Sequence, residues 1–186
     1  MKLLTTSQMR AVEQQADASG LSYAEMMENA GRGLAEIIEN EYGFLSDEGI
    51  LALVGKGNNG GDALVALTYL ALNDWPCTAY LAADRPDDPL VGRLRAAGGE
   101  ILLSGAGTED DLLPNALASH ALLLDGLLGT GFQLPLRGSL QTLLTHVQSL
   151  MDALEEPPTV IAVDCPSGLD CDTGEVAPET LVADLT

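Results

Sequence analysis

Three short stretches gather the side chains that could do chemistry. The first is Gly55-Lys56-Gly57-Asn58-Asn59-Gly60-Gly61-Asp62. Gly55, Gly57 and Gly60 fit the pattern GxGxxG, in which glycine permits a tight turn and a close backbone approach. A helix opening on such a loop presents free N–H groups to a phosphate. The loop follows an expected strand and opens an expected helix, so nucleotide or phosphate binding competes here with a purely structural turn. Asn58 and Asn59 add two adjacent amides. Asp62 falls in the first helical turn, where an acid complements the helix dipole. It also puts negative charge where a phosphate would sit, so the loop suits a cation or hydroxyl groups better than simple pyrophosphate docking. A Walker A loop is excluded, because Lys56 is misplaced and no Lys-Ser/Thr pair closes the loop. Asp84 stands at the end of the next expected strand, where a ribose-binding carboxylate is expected.

The second and third stretches begin with carboxylates at strand ends. Asp125 follows Ala121-Leu122-Leu123-Leu124, and Asp164 follows Val160-Ile161-Ala162-Val163. In open α/β sheets the carboxyl edge holds the ligand crevice, and two acids there, each leading into a glycine-containing loop, point to function rather than capping. The loop after Asp125 runs from Gly126 to Gly138 and includes Arg137, which could meet an anion or pair with a surface acid. After Asp164 comes Cys165-Pro166-Ser167-Gly168-Leu169-Asp170. Ser167 is not in a GxSxG elbow, and neither His120 nor His146 is placed as the base of a nucleophile, so a hydrolase triad is rejected. No basic neighbour would lower the pKa of Cys165, which reads as structural.

The elements that must position these groups follow from periodicity. Thr5 to Gln8 offers a capping box, with Met9, Val12 and Ala16 at helical spacing and Gly20 as the stop. A second helix carries Met26, Met27, Ala30, Leu34, Ile37 and Ile38 and closes at Gly43. Ile50 to Val54 is a continuous apolar run, as in a strand buried on both faces. A buried helix is expected over Asp62 to Leu72, a strand over Cys77 to Ala82, and a helix capped by Asp88-Pro89. Further strands are expected at Ile101–Leu103, Ala121–Leu124 and Thr159–Val163. Helices are expected from Thr108 and from Leu140 to Leu154. Alternating strands and helices mean α/β with a mostly parallel sheet. Leu181 to Thr186 reads as the start of another strand or loop, so a longer parent protein is expected.

Composition bounds the partners. The charge sums to 8 − 28 = −20, which repels nucleic acid and anionic lipid, so neither a nucleic-acid nor a membrane partner is expected. Hydrophobic residues make up 46% and aromatics only 4%, so the core is aliphatic. The three cysteines have no CxxC spacing, which argues against a disulfide framework or a zinc site. No signal-peptide pattern and no run of 18 apolar residues is present, so a reduced cytoplasmic protein is the expectation.

Met27-Glu28-Asn29-Ala30-Gly31, Gly57 to Asp62, Asp125 with Gly129-Thr130-Gly131-Phe132, and Asp164 to Asp170 with Thr173-Gly174 together resemble the YjeF N-terminal domain family, the NAD(P)H-hydrate epimerases. The motifs fall in the family order. The resemblance implies a Rossmann-like three-layer αβα sandwich with a mostly parallel sheet, preceded by two N-terminal helices. It implies one such domain over residues 1–186, truncated at its C-terminal end. It implies interconversion of the R and S forms of hydrated NADH and NADPH (NADHX and NADPHX). Substrate binding is implied for Asn58, Asn59, Gly60, Gly61 and Asp62, and for Gly129, Thr130, Gly131, Phe132, Gln133, Leu134 and Pro135. Asp164 is implied as ligand contact and acid–base. Potassium, one per subunit, is implied at Asn59, Asp125 and Ser167. A homodimer and coupling to an NAD(P)HX dehydratase, fused in many microbes, complete the expectation. The stretch Asp152 to Pro158 departs from the family by being longer and more acidic.

Two other functions compete. An NAD(P)-dependent dehydrogenase could be built on Gly55, Gly57 and Gly60, but 186 residues leave little room for a second domain. A non-catalytic binding module of the same fold would be expected to lack the acid and the cation ligands, and all four are present. A structural α/β domain is the bland remainder.

Overall fold

Local signals start the chain as expected. Thr5 Oγ1 accepts from the Gln8 amide and Gln8 Oε1 accepts from the Thr5 amide, closing the box that opens helix α1 (Thr6–Ala18). Ser22 and Glu25 form a second box at α2 (Tyr23–Tyr42). A 3-10 turn, Gly43–Leu45, leads into the sheet region. The computed structural model describes residues 4–104 and 112–186. The helix start expected at Thr108 lies outside them.

Five strands form one parallel sheet: β1 (Ile50–Val54), β2 (Cys77–Leu81), β3 (Glu100–Leu103), β4 (Leu122–Gly126) and β5 (Thr159–Ala162). Their order is β3-β2-β1-β4-β5. The chain winds one way from β1 and the other way from β4, so the switch point lies between β1 and β4, where such sheets open a ligand crevice. Helices α3 (Asn58–Leu72), α4 (Pro89–Ala96), α5 (Leu112–Ser119) and α6 (Gly138–Ala153) supply the crossovers. Asp88 caps α4 through a 2.9 Å bond from the Leu90 amide.

Strand β1 shows how the layers arise. Ile50, Ala52 and Val54 face one side and pack with Ile38 of α2 and Leu64 and Leu67 of α3. Leu51 and Leu53 face the other side and pack with Leu117 of α5 and Leu144 and Val147 of α6. Both faces are covered, so the strand is apolar throughout, which gives the three-layer αβα sandwich.

Three boundaries differ from the periodicity, and each bears on the site. Helix α3 begins at Asn58, not Asp62, with Gly57 as its N-cap. Its glycines are dictated by close packing rather than looseness. A Cβ on Gly60 would lie 2.2 Å from the Gly55 carbonyl, and one on Gly31 of α2 would lie 2.5 Å from Val65 Cβ. Strand β4 runs on through Asp125 to Gly126, so Asp125 sits in the sheet in register with Leu53 and Ala162. Strand β5 stops at Ala162. The last residues lie beside it: Leu185 bridges Ile161, and Asp184 accepts from the Val160 amide.

Candidate active site

The carboxyl ends of β1, β4 and β5 converge, and Asn59 joins them. It lies buried in the first turn of α3. Its Nδ2 donates to the Leu128 carbonyl at 2.9 Å and to the Val163 carbonyl at 2.8 Å. Both amide hydrogens are thus engaged, and Oδ1 is left facing Gly129, 3.3 Å from where a Cβ would stand there. Fully buried Asp125 accepts from Ser167 Oγ at 2.6 Å, from the Ser167 amide at 2.8 Å and from the Leu127 amide at 3.3 Å. Ser167 Oγ in turn accepts from the Leu128 amide at 2.9 Å. Asn59, Asp125 and Ser167, grouped by the family resemblance, are therefore one knot around residues 127–129.

Burial pushes the Asp125 carboxyl up, against the pull of its three donors. Among the described residues no ion pair reaches it. A buried acid without a cationic side chain, beside an open amide oxygen and a hydroxyl, is the donor set a hard monovalent cation takes. Among the described residues no group of three or more His, Cys, Asp and Glu is placed to hold a metal.

Asp164 follows Val163, whose carbonyl Asn59 holds. Its φ of 65° is left-handed, a region Asp tolerates better than most side chains. One side of Asp164 is open to solvent, while the protein around the other raises its pKa. Because α3 starts at Asn58, half-buried Asp62 falls in its second turn rather than the expected first; its carboxyl is pushed up to about 7, first by burial, then by the charges of Asp164 and Glu13. The site therefore holds two carboxyls set apart by environment, one of them titrating near neutrality.

The segment from Gly129 to Pro135 forms the rim. Gly129 adjoins Asn59, and Gly131 lies beside Arg10 of α1. Phe132 and Leu134 pack down on the core, Thr130 is half-buried, and Gln133 and Pro135 are exposed. The Leu134–Pro135 bond is cis.

Not every expected residue joins this cluster. Asn58 is exposed and borders a separate cavity of about 340 Å³ between α2, the glycine loop and α4, with Met27, Lys56 and Leu90. Asp164, Asp125 and Ser167 do not line that cavity. Asp84 is exposed, and its neighbour Arg85 reaches the glycine loop instead. The Arg85 guanidinium donates to the Gly55 carbonyl and pairs with Asp88 at 2.6 Å. Arg137 is the exposed N-cap residue of α6 and makes no side-chain cap bond. Burial pushes the Cys165 thiol up, away from reactivity. Sequence reasoning missed Arg85 and the α1 residues near the site. Their signal is spacing: Thr6, Arg10 and Glu13 lie on one helix face.

Doubly wound α/β sandwiches are a class whose ligand crevice opens at the switch point, and there this chain carries its acids and the oxygen-rich knot. A family model described as YjeF-related protein N-terminus matches residues 23–186, and the chain belongs to that family. It is 36% identical over 198 residues to a Salinibacter ruber protein named bifunctional NAD(P)H-hydrate repair enzyme Nnr, covering 99% of this chain and 35% of that protein. It is 37% identical over 168 residues to a Rhodopirellula baltica NAD(P)H-hydrate epimerase, covering 87% of this chain and 63% of that protein. The chain thus spans less than two thirds of either relative. A Cenarchaeum symbiosum NAD(P)H-hydrate epimerase is 31% identical, with 98% and 82% covered. The crystal structure of yeast YNL200c matches the fold with a TM-score of 0.85 at 19% identity, covering all of this chain and 79% of that one.

Proposed function

We propose that this chain epimerises hydrated NADH and NADPH at C6 of the nicotinamide ring, as the names of its relatives suggest. The observation that carries the proposal is the convergence of Asp164, Asp62 and the Asn59–Asp125–Ser167 knot at the sheet's switch point. In the proposed reaction the ring nitrogen lone pair forms a C=N bond as the C6–O bond breaks. Protonated Asp164 gives its proton to the departing hydroxyl, which leaves as water. Water then adds to the other face of C6, and the Asp164 carboxylate takes its proton. A carboxyl with a raised pKa suits both halves, since it must carry a proton and return to receive one. Asn58 to Asp62 and Gly129 to Pro135 are the segments assigned to hold the dinucleotide.

Asn59 Oδ1, the Asp125 carboxylate and Ser167 Oγ are the atoms that would hold potassium. When bound, the ion would supply positive charge beside Asp125 and ease binding of a phosphorylated substrate. The proposal extends to a homodimer, which would cover the half-exposed Met9 and Val12 of α1. It extends to coupling with a dehydratase, which the name of the bifunctional Salinibacter relative supports. The reducing cytoplasm is the proposed setting, in keeping with three free cysteines. No helix of the described residues is long and apolar enough to cross a membrane. Incubating chromatographically resolved R-NADHX with the protein in ¹⁸O-water tests the reaction. The S form should accumulate with ¹⁸O at C6 faster than in buffer alone, and equal rates would refute the proposal.

A further inference from the structure

Helix α1 adds nothing to the hydrophobic core: none of its 13 residues is buried. What holds it is polar and specific. Thr6 donates from N and Oγ1 to the two carboxylate oxygens of Asp172, at 2.8 and 2.6 Å, in the loop that begins at Asp164. Thr6, Arg10 and Glu13 are spaced i, i+4, i+7 and share one face of the helix. Arg10 Nη2 lies 3.7 Å from where a Cβ would stand on Gly131. Its charge also reaches Asp172, and that of Glu13 reaches Asp62. One face of α1 therefore borders three segments of the site: the Asp164 loop, the Gly129–Pro135 rim and the start of α3.

The guanidinium of Arg10 is uncommitted. Among the described residues it makes no ion pair, whereas Arg32, Arg85 and Arg93 each do. Both oxygens of Asp172, the acid its charge reaches, are already engaged by Thr6. The chain carries a net charge of −20, so an anionic ligand needs a local cation to overrule the global field. A guanidinium suits phosphate because its fork of N–H donors matches two phosphate oxygens at once. We propose that Arg10 binds the phosphate groups of the dinucleotide substrate, with α1 as the wall of the site that carries it. The assignment rests on the phosphorylated substrate proposed above.

The test compares wild type, Arg10→Gln and Arg10→Lys. KM and kcat for R-NADHX come from an assay coupled to an S-specific dehydratase, and the Kd for NADH from nicotinamide fluorescence. Arg10→Gln should raise KM and Kd about tenfold, the loss of one charge-assisted contact, and leave kcat within about twofold. Arg10→Lys should recover most of the affinity, and added salt should narrow the gap between variants. Unchanged KM and Kd in Arg10→Gln, or a fall in kcat with Kd unchanged, would overturn the assignment. A wild type that binds NADH without accelerating the reaction refutes the epimerase, and Arg10 is then judged on the titration alone. A wild type that does neither refutes both.

Discussion

Asp164 is the proposed acid–base, and Asp62 lies near it in a different environment. Asp164 occupies a left-handed backbone position that asparagine also tolerates, so Asp164→Asn keeps the local geometry while removing the exchangeable proton. Epimerisation by this variant should fall at least about 100-fold, with circular dichroism and melting unchanged. Asp62 makes a prediction about stability. Its carboxyl titrates at about 7 in the folded chain, against an ordinary value of 3.8. Between those values the folded chain holds a proton that the unfolded chain has released, so the contribution of Asp62 to stability declines as pH rises from about 4 to about 7. Asp62→Asn removes that dependence. Denaturant unfolding should show the variant equal to wild type at pH 4 and more stable at pH 8 by about 1–2 kcal/mol, allowing for solvent screening of a half-open group. A wild type that gains more stability than the variant between those pH values would contradict the raised titration. Asp125 and Asp164 were legible in the sequence because each follows an apolar run, whereas Ser167 stood out only through the family resemblance. The coupling of Asp62 to Asp164 was not legible, since it requires a helix and a loop about a hundred residues apart to meet.

Among the elements, the start of α3 matters most. A glycine-rich segment reads locally as loop, so periodicity alone puts the helix start at Asp62. The observed start at Asn58 turns Asn58 to Asp62 into helix, which puts Asn59 and Asp62 three residues apart on one face. The glycines of that segment are packing requirements: a side chain on Gly60 would meet the Gly55 carbonyl, and one on Gly61 would meet Met27 of α2. Gly31→Ala would push a methyl into Val65 Cβ and to within 2.8 Å of the Asp62 carbonyl. It should cost about 2 kcal/mol and lower Tm, and it should weaken activity by shifting the helix that carries Asn59 and Asp62. A variant with the Tm and activity of wild type would show that the α2–α3 spacing has slack. The docking of α1 was illegible for a similar reason: Thr6 and Asp172 are 166 residues apart. Its capping box, by contrast, is local and could be read directly.

For the whole molecule, the parallel order β3-β2-β1-β4-β5 opens one edge at which the two halves of the winding diverge, and Asn59, Asp125, Asp164 and Ser167 lie at that edge. Alternation of strands and helices made the architecture readable without the structure. The strand order and switch point emerged only from the pairing. The names of its family relatives support the proposed epimerisation of hydrated nicotinamide dinucleotides. The most direct test of that claim mixes the purified chain with R-NADHX and an S-specific dehydratase and follows the return of NADH by absorbance, in potassium and in sodium. The account predicts return well above the spontaneous rate, higher in potassium, and reduced to the spontaneous rate by Asp164→Asn. A folded wild-type chain that returns NADH no faster than buffer would contradict it.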